Sequence, residues 1–262
     1  MRRAVPAVLT FMVAAQASAQ ISAERWKAVK QWSVKVLAEH PHDRRAFTQG
    51  LVWHDGLLYE STGQHGWSSV RRVEPATGAV LAQYDLDRSL FGEGLALASG
   101  RLIQLTWQTG LALVYDAASL APVDQFVYQG EGWGLAWDGR RLAMSDGTSR
   151  LTFRDPETFD VLETREVTLD GLPLANLNEL EHADGLLYAN VWLEDRIVAI
   201  DPETGKVRAV IDASGLLSPM ERRGVEALNG IAYDPVSETF WITGKYWPWM
   251  FQVVFVPEKS LP

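Results

Sequence analysis

The sequence contains no cysteine, which excludes disulfide bonds, cysteine nucleophiles and thiolate metal sites. Basic clusters are also missing and the formal net charge is −9, so electrostatics do not favour nucleic acid or an acidic membrane surface as a partner. The five histidines are not spaced as a metal-binding pair on one helix or strand, and no metal ligand is predicted. Nothing in the sequence demands more than a monomer.

The first 19 residues have the features of a secretory signal peptide. Arg2 and Arg3 precede a mostly apolar run over residues 4–15, and Ala17-Ser18-Ala19 fits the small-residue cleavage pattern. The apolar run is too short to span a bilayer. We therefore expect residues 1–19 to be removed, and residues 20–262 to form one domain that is exported, either periplasmic or secreted.

Five copies of one pattern recur along the chain. In each copy a first apolar strand is followed by a short turn, a second strand, and a third strand that leads to a turn of the Asp-Pro-x-Thr-Gly type. Glycines 50, 94, 134 and 230 mark four starts, and Glu179 lies at the start of the remaining copy. The spacing of about 40 to 50 residues is the period of a four-stranded propeller blade.

The predicted fold is therefore all-β, a five-bladed β-propeller with four-stranded antiparallel blades. The fifth copy is one strand short, whereas residues 33–37 form a surplus strand before the first copy. We expect this N-terminal strand to pair into the last blade and close the ring, because an open ring would leave sheet edges exposed. Residues 213–225 are the longest irregular insert and are expected to form a surface loop.

Polar and aromatic residues stand at the ends of the predicted inner strands, where a propeller would direct them into its central channel. They are Phe47, Gln49, Phe91, Glu93, Trp107, Trp133, Asp146, Asn178, Glu179, Trp192, Asn229 and Lys245. Aromatic walls with a few convergent polar groups are typical of a small-ligand pocket. The chain has eleven tryptophans, of which Trp32, Trp53 and Trp137 are expected to pack between blades and others to contact a ligand.

Some of these side chains also have structural explanations. Glu93 stands between two glycines without a neighbouring charge, which favours a functional role. Glu179 and Glu181 alternate along one strand, which favours contacts between repeats, and a turn explains Asp146 at least as well as a function does. Lys245 precedes Tyr246-Trp247-Pro248-Trp249, and a lysine among aromatics is typically desolvated and functional.

Eight short motifs carry a family resemblance. They are Phe47-Thr48-Gln49-Gly50-Leu51, Phe91-Gly92-Glu93-Gly94, Gln104-Leu105-Thr106-Trp107, Gly132-Trp133-Gly134-Leu135, Leu177-Asn178-Glu179-Leu180-Glu181, Ala189-Asn190-Val191-Trp192, Leu228-Asn229-Gly230-Ile231-Ala232 and Thr243-Gly244-Lys245-Tyr246-Trp247-Pro248. In number, order and spacing, over residues 44–255, they resemble the plant- and bacterial-type glutaminyl cyclases.

The resemblance implies an enzyme, a glutaminyl-peptide cyclotransferase on a five-bladed propeller, which converts the N-terminal glutamine of peptides and proteins to pyroglutamate and releases ammonia. It implies an acid–base role for Glu93 and polar stabilisation by Asn178 and Lys245. The implied substrate-binding residues are Phe47, Gln49, Phe91, Trp107, Trp133 and Trp192. No cofactor is required, and a structural calcium ion in the channel is compatible with this interpretation.

Two alternatives remain at the level of the residues alone. A non-catalytic propeller could bind a peptide or glycan in the same aromatic channel, since fold does not fix function. A calcium-dependent lactonase-type propeller would need several oxygen ligands around one ion, and Glu93, Asn178 and Asn229 could supply part of them.

Overall fold

The computed structural model describes residues 21–258, so the predicted signal peptide lies outside the described residues. Within this range a single short helix, α1 (Ala23–Lys27), precedes the long strand β1 (Lys30–Pro41), and all other regular elements are strands. The all-β prediction is confirmed. No helix between residues 21 and 258 has the length and hydropathy needed to span a membrane.

Three sheets contain four strands each, in chain order and with antiparallel neighbours. The first sheet consists of β2 (Thr48–His54), β3 (Leu57–Thr62), β4 (Ser69–Glu74) and β5 (Ala79–Asp85). The second consists of β6 (Gly92–Ala98), β7 (Arg101–Thr106), β8 (Leu111–Asp116) and β9 (Pro122–Val127). The third consists of β10 (Leu135–Trp137), β11 (Leu142–Ser145), β12 (Arg150–Arg154) and β13 (Val161–Glu166), and a small hairpin of β14 (Thr168–Leu169) and β15 (Leu172–Pro173) follows it.

The rest of the chain forms one eight-stranded sheet together with β1. Its other strands are β16 (Leu177–Ala183), β17 (Leu186–Val191), β18 (Arg196–Ile200), β19 (Val207–Asp212), β20 (Leu228–Asp234), β21 (Thr239–Gly244) and β22 (Trp249–Pro257). The strand order is β16-β17-β18-β19-β1-β22-β21-β20. The two edge strands β16 and β20 contact each other, so this sheet curls into a nearly closed barrel.

The predicted five-bladed propeller with an N-terminal closing strand is therefore wrong. Separate blades would give five sheets of four strands, whereas the fourth and fifth repeats share one sheet. The physical reason is that β1 uses both of its hydrogen-bonding edges. It pairs antiparallel with β22 from Trp32 to Pro41, and its first four residues also pair in parallel with β19.

The predicted turns between third and fourth strands lie where the sequence places them. Gly78 and Gly205 end two of these turns with φ of 69°, in the left-handed region that glycine adopts at little cost. The equivalent positions after β8 and β12 are Leu120 and Phe159, which take φ of 58° and 63°. Both side chains are buried, and their packing holds them in this less favourable conformation.

The first strand of each sequence repeat contacts the first strands of its neighbours, and β2, β6, β10, β16 and β20 together form what we call the inner ring. Glycines allow this close approach. A Cβ added at Gly50 or Gly94 would lie 2.5 Å from a backbone nitrogen of the next inner strand, and one at Gly134 would lie 2.1 Å from a carbonyl oxygen. The repeated glycines of the sequence therefore mark contacts between strands, and the ends of these strands position the site.

Candidate active site

A chain of buried polar side chains crosses the inner ring. Asn229 of β20 donates from Nδ2 to Gln49 Oε1 of β2 at 3.1 Å, and Gln49 donates from Nε2 to Glu93 Oε1 of β6 at 2.8 Å. All three side chains are buried. Three strands that are far apart in sequence thus fix the orientation of one carboxylate.

Glu93 is the carboxylate at the end of this chain, and only 4% of its surface is exposed. Burial raises its pKa well above the ordinary value, because the charged form loses its hydration. The positive charge of Lys245 and the hydrogen bond from Gln49 oppose the shift, whereas the negative charge of Glu131 adds to it. A carboxyl group with a raised pKa can both accept and return a proton near neutral pH.

Lys245 directly follows β21 and is buried with 4% of its surface exposed. Its Nζ lies 4.6 Å from the centroid of the Phe47 ring, a distance typical of a cation–π contact. Burial lowers the pKa of Lys245, and the charges of Glu93 and Glu226 act in the opposite direction. The sequence-based expectation of a lysine desolvated among aromatic side chains matches these contacts.

Asn178 lies on β16, in the half of the inner ring that faces the third sheet. Its backbone carbonyl accepts a hydrogen bond from Ser145 Oγ at 2.7 Å, and Ser145 Oγ in turn accepts from the backbone N–H of Gly134. The side-chain Oδ1 is buried and has no partner among the described residues. Strand β10 contacts both β6 and β16, so it lies between the strand of Glu93 and the strand of Asn178.

Six aromatic side chains surround these polar groups, and we call them the aromatic wall. They are Tyr246, Phe47, Phe91, Trp107, Trp133 and Trp192. Five of them were predicted as site residues or channel residues, and Tyr246 was predicted as a neighbour of Lys245. Phe47 contacts Lys245 directly, and Phe91 and Trp107 follow Phe47 through ring contacts.

Ring contacts order the aromatic wall into two chains. In the first, Tyr246, Phe47, Phe91 and Trp107 follow one another with centroid distances of 5.2, 5.8 and 5.6 Å. In the second, Trp133 and Trp192 meet edge to face at 5.5 Å. Edge-to-face pairs at such distances are favourable beyond the area they bury.

Two glycines let the rings lie against the backbone. A Cβ at Gly63 would come within 2.3 Å of the Phe91 ring and 3.0 Å of the Phe47 ring. A Cβ at Gly147 would come within 2.6 Å of the Trp133 ring. The backbone itself is therefore part of the support of the wall.

Glu131 is a site residue that the sequence analysis missed. Its Oε2 accepts hydrogen bonds from the indole N–H groups of Trp107 at 2.8 Å and Trp133 at 3.0 Å, and its Oε1 accepts from Gln108 at 2.9 Å. Burial alone would raise the pKa of Glu131, but these three hydrogen bonds outweigh burial and lower it. A signal existed, because Gly130-Glu131-Gly132 repeats the isolated carboxylate between glycines seen at Glu93.

Other candidate carboxylates have structural positions. Glu179 is fully buried and accepts from the backbone N–H groups of Leu51 at 3.1 Å and Ile231 at 2.8 Å, so it ties β16 to β2 and β20. Burial raises the pKa of Glu179 well above the ordinary value. Asp146 accepts from the backbone N–H and the hydroxyl group of Thr148, which is the turn role that the sequence left open.

A lactonase-type calcium site would need several oxygen ligands around one ion. No group of three or more His, Asp or Glu side chains in the described part of the chain could hold a metal ion. Of the oxygen ligands considered for a lactonase-type site, Glu93 and Asn229 are bridged by the Gln49 amide. Asn229 turns its nitrogen towards this bridge. The arrangement favours proton transfer and hydrogen bonding inside an aromatic pocket.

Comparisons with known proteins agree with this chemistry. A family model described as glutamine cyclotransferase matches residues 7–255. A glutaminyl-peptide cyclotransferase of Arabidopsis thaliana is 42% identical over 229 residues, which cover 84% of this chain and 70% of that protein. The crystal structure of Myxococcus xanthus glutaminyl cyclase superposes with a TM-score of 0.81 at 36% identity and covers 88% of this chain and 100% of that one. The chain therefore belongs to the glutamine cyclotransferase family.

Proposed function

We propose that this chain closes the N-terminal glutamine of peptides and proteins into pyroglutamate, with Glu93 as the group that moves the proton. Family membership supports the reaction. The observation that carries the role of Glu93 is its position, because it is a buried carboxyl group with a raised pKa, oriented by Gln49 and faced by Lys245 and an aromatic wall. A non-catalytic binding protein would not need this combination.

The reaction joins two groups of the same residue. The α-amine nitrogen attacks the side-chain amide carbon, a C–N bond forms, and the carbonyl oxygen gains negative charge. The bond to the amide nitrogen then breaks, and ammonia leaves. Holding the side chain folded back could lower the barrier by several kcal/mol, up to about 7–11 in the best intramolecular cases, and the aromatic wall supplies a mould for that shape.

Glu93 carries the proton from the attacking amine to the departing nitrogen in this scheme. Its carboxylate takes a proton from the attacking amine and, as a carboxylic acid, gives it to the departing nitrogen. Burial raises the pKa of Glu93, which makes its carboxylate a stronger base towards the amine than an exposed carboxylate. The hydrogen bond from Gln49 holds Oε1 in place during both steps.

Lys245 and Asn178 are the donors proposed to stabilise the oxyanion. Lys245 offers a buried cation and Asn178 a buried side-chain amide. A single oxyanion donor is typically worth about 2.7–4 kcal/mol in the transition state. Phe47, Gln49, Phe91, Trp107, Trp133 and Trp192 complete the proposed substrate site.

The remaining proposals concern the location, oligomeric state, partners and cofactors of the protein. The protein is exported, on the basis of its first 19 residues, and acts as a monomer on peptides rather than on nucleic acid or a membrane. It requires no cofactor, since Glu93 transfers the proton and Lys245 and Asn178 stabilise the oxyanion in this scheme. A structural calcium ion would stabilise the fold without taking part in proton transfer.

The purified protein should release ammonia from a peptide that begins with glutamine, and mass spectrometry should show the pyroglutamyl product. The same peptide with an acetylated α-amine should not react. Addition of a chelator should leave the rate unchanged. No release of ammonia from the free peptide would overturn the proposed function, and a rate abolished by the chelator would overturn the cofactor-free scheme.

Glu93→Gln should lower kcat by about 10²–10⁴-fold, the usual contribution of a positioned acid–base group. The variant should keep the wild-type melting temperature, because the amide can still accept a hydrogen bond from Gln49. The matched control is Glu39→Gln, which changes an exposed carboxylate on β1. A Glu93→Gln enzyme with wild-type kcat would remove Glu93 from the proton-transfer role.

A further inference from the structure

The aromatic wall has one break, and a carboxylate bridges it. Among the described residues no ring contact joins Trp107, the end of the first ring chain, to Trp133, the start of the second. Both indoles instead donate to the same oxygen, Oε2 of Glu131, at 2.8 and 3.0 Å. One side chain thus determines how the two halves of the wall stand relative to each other.

The two indoles reach Glu131 from different parts of the fold. Trp107 follows β7 of the second sheet, whereas Trp133 precedes β10 of the third. Backbone hydrogen bonds place their main chains, from Gly132 N to Trp107 O at 3.0 Å and from Trp133 N to Ser145 O at 3.0 Å. These bonds do not set the side-chain torsions. The orientation of each indole depends on its ring contact, with Phe91 or Trp192, and on the hydrogen bond from its N–H group to Glu131.

We propose that Glu131 is a positioning residue for the glutaminyl pocket, which holds the indoles of Trp107 and Trp133 in the orientation that encloses the substrate side chain. The inference rests on the proposed function for the identity of the substrate. Glu131 acts through the two indoles and does not itself need to touch the reacting atoms. Its carboxylate suits the task because a charged acceptor makes stronger hydrogen bonds than a neutral one and can serve several donors.

The charge of Glu131 has a second consequence that separates this role from simple support of the fold. Its negative charge is one of the causes that raise the pKa of Glu93, after burial. The other titratable groups that act on this centre are Lys245, which lowers that pKa, Tyr128, which interacts with the Glu93 charge, and Glu226, which acts on Lys245. Removal of the Glu131 charge alone should therefore lower the pKa of Glu93.

Two substitutions separate geometry from charge. Glu131→Gln keeps an oxygen that can accept both indole N–H groups and removes the charge, while the exposed Gln108 amide can turn to face the new NH₂ group. Glu131→Ala removes both the acceptor and the charge. Gln129→Ala is the matched control, because Gln129 is an exposed neighbour in the same segment.

Steady-state kinetics with a glutamine-initiated peptide give the first test. Glu131→Ala should lower kcat/KM by about 10- to 100-fold, the scale of lost hydrogen bonds to a charged group, mainly through a higher KM. Glu131→Gln should keep KM within about twofold of the wild type, but the acid limb of its kcat–pH profile should move to lower pH. Gln129→Ala should match the wild type in both respects.

A crystal structure of Glu131→Ala gives a readout that does not depend on activity. We expect the Trp107 and Trp133 indoles to leave their wild-type positions, and to keep them in Glu131→Gln. Indoles in place together with unchanged kcat/KM in Glu131→Ala would overturn the inference. An inactive wild type would instead count against the proposed function, and the indole positions would still decide the role of Glu131.

Discussion

At the scale of single residues, Gln49 is the side chain on which the state of Glu93 most directly depends. It donates to Glu93 Oε1 and accepts from Asn229, so it favours the ionised form of the carboxyl group. Gln49→Met keeps a similar length and removes the donor, which should raise the pKa of Glu93. We expect kcat near neutral pH to fall by about 10-fold or more and the acid limb of the kcat–pH profile to move to higher pH.

The direction of that shift is opposite to the one expected for Glu131→Gln, and the pair of variants therefore tests the electrostatics of Glu93 from both sides. Gln83→Met, an exposed change on β5, is the control and should leave the profile unchanged. An unchanged acid limb in Gln49→Met would show that the hydrogen bond has no bearing on the catalytic titration.

The sequence pointed to most side chains of the candidate site because Phe47, Gln49, Phe91 and Glu93 stand at fixed offsets before the glycines of the first strands, and Trp107 and Lys245 follow the second strands of their repeats. Phe47, Gln49, Phe91, Glu93, Trp107 and Lys245 come together through direct contacts or charge interactions. Glu131 was missed, because its bonds to Trp107 and Gln108 span 24 and 23 residues and depend on how two connecting segments meet in space. The roles of the predicted residues and of Glu131 in the reaction are proposals.

At the scale of elements, tertiary contacts stabilise the short helix α1. Five residues cannot form a stable helix alone, so tertiary contacts must hold it. Trp26 is buried in the cluster between the third sheet and β16–β19, and Arg25 donates to the carbonyls of Leu169 and Leu172 at 3.1 and 3.0 Å. The hairpin of β14 and β15, together with the cluster around Trp26, thus provides the anchor that the helix itself lacks.

Trp26→Ala should therefore destabilise the whole protein by about 3–5 kcal/mol, the usual cost of removing a large buried aromatic side chain. Denaturant titration of the variant measures this loss as a lower unfolding midpoint. Lys27→Ala, an exposed change one residue away, should stay within about 0.5 kcal/mol of the wild type. Equal midpoints for Trp26→Ala and the wild type would show that α1 is not docked in solution.

Strand positions were predictable from the sequence, whereas strand partners were not. The surplus strand predicted over residues 33–37 lies within β1, and the turns between third and fourth strands follow their local turn chemistry. Alternation of apolar residues predicts that a segment is a strand, but it does not predict whether the strand pairs with neighbours on one or both of its hydrogen-bonding edges. β1 uses both, with β19 on one side and β22 on the other, which turned two expected sheets into one.

At the scale of the whole molecule, a buried ionic network joins the beginning and the end of the chain. Glu60 of β3 accepts from His42 Nε2 at 2.9 Å, from Thr48 Oγ1 at 2.7 Å and from Arg71 Nη2 at 2.6 Å. His42 Nδ1 also lies 2.8 Å from the carbonyl oxygen of Trp247, next to the segment that carries Lys245. His42 thus links the first sheet to the segment between β21 and β22 of the eight-stranded sheet.

This network should govern the stability of the protein in acid. Burial would raise the pKa of Glu60, but the charges of Arg71 and His42 and the hydrogen bonds it accepts outweigh burial and lower it. A carboxyl group with a lowered pKa stabilises the fold fully above its unfolded pKa of about 4.3, and this stabilisation disappears as the pH falls towards the folded value. Glu60→Gln removes the buried carboxylate that faces His42 and leaves Arg71 with Asp43, 3.0 Å away, as its remaining ion-pair partner, and it should cost about 3 kcal/mol at neutral pH. The difference between variant and wild type, measured by denaturant unfolding over a range of pH, should shrink below about pH 4. The exposed Asp124→Asn should show no such dependence, and a constant difference for Glu60→Gln down to strongly acidic pH would mean that the network contributes packing rather than charge.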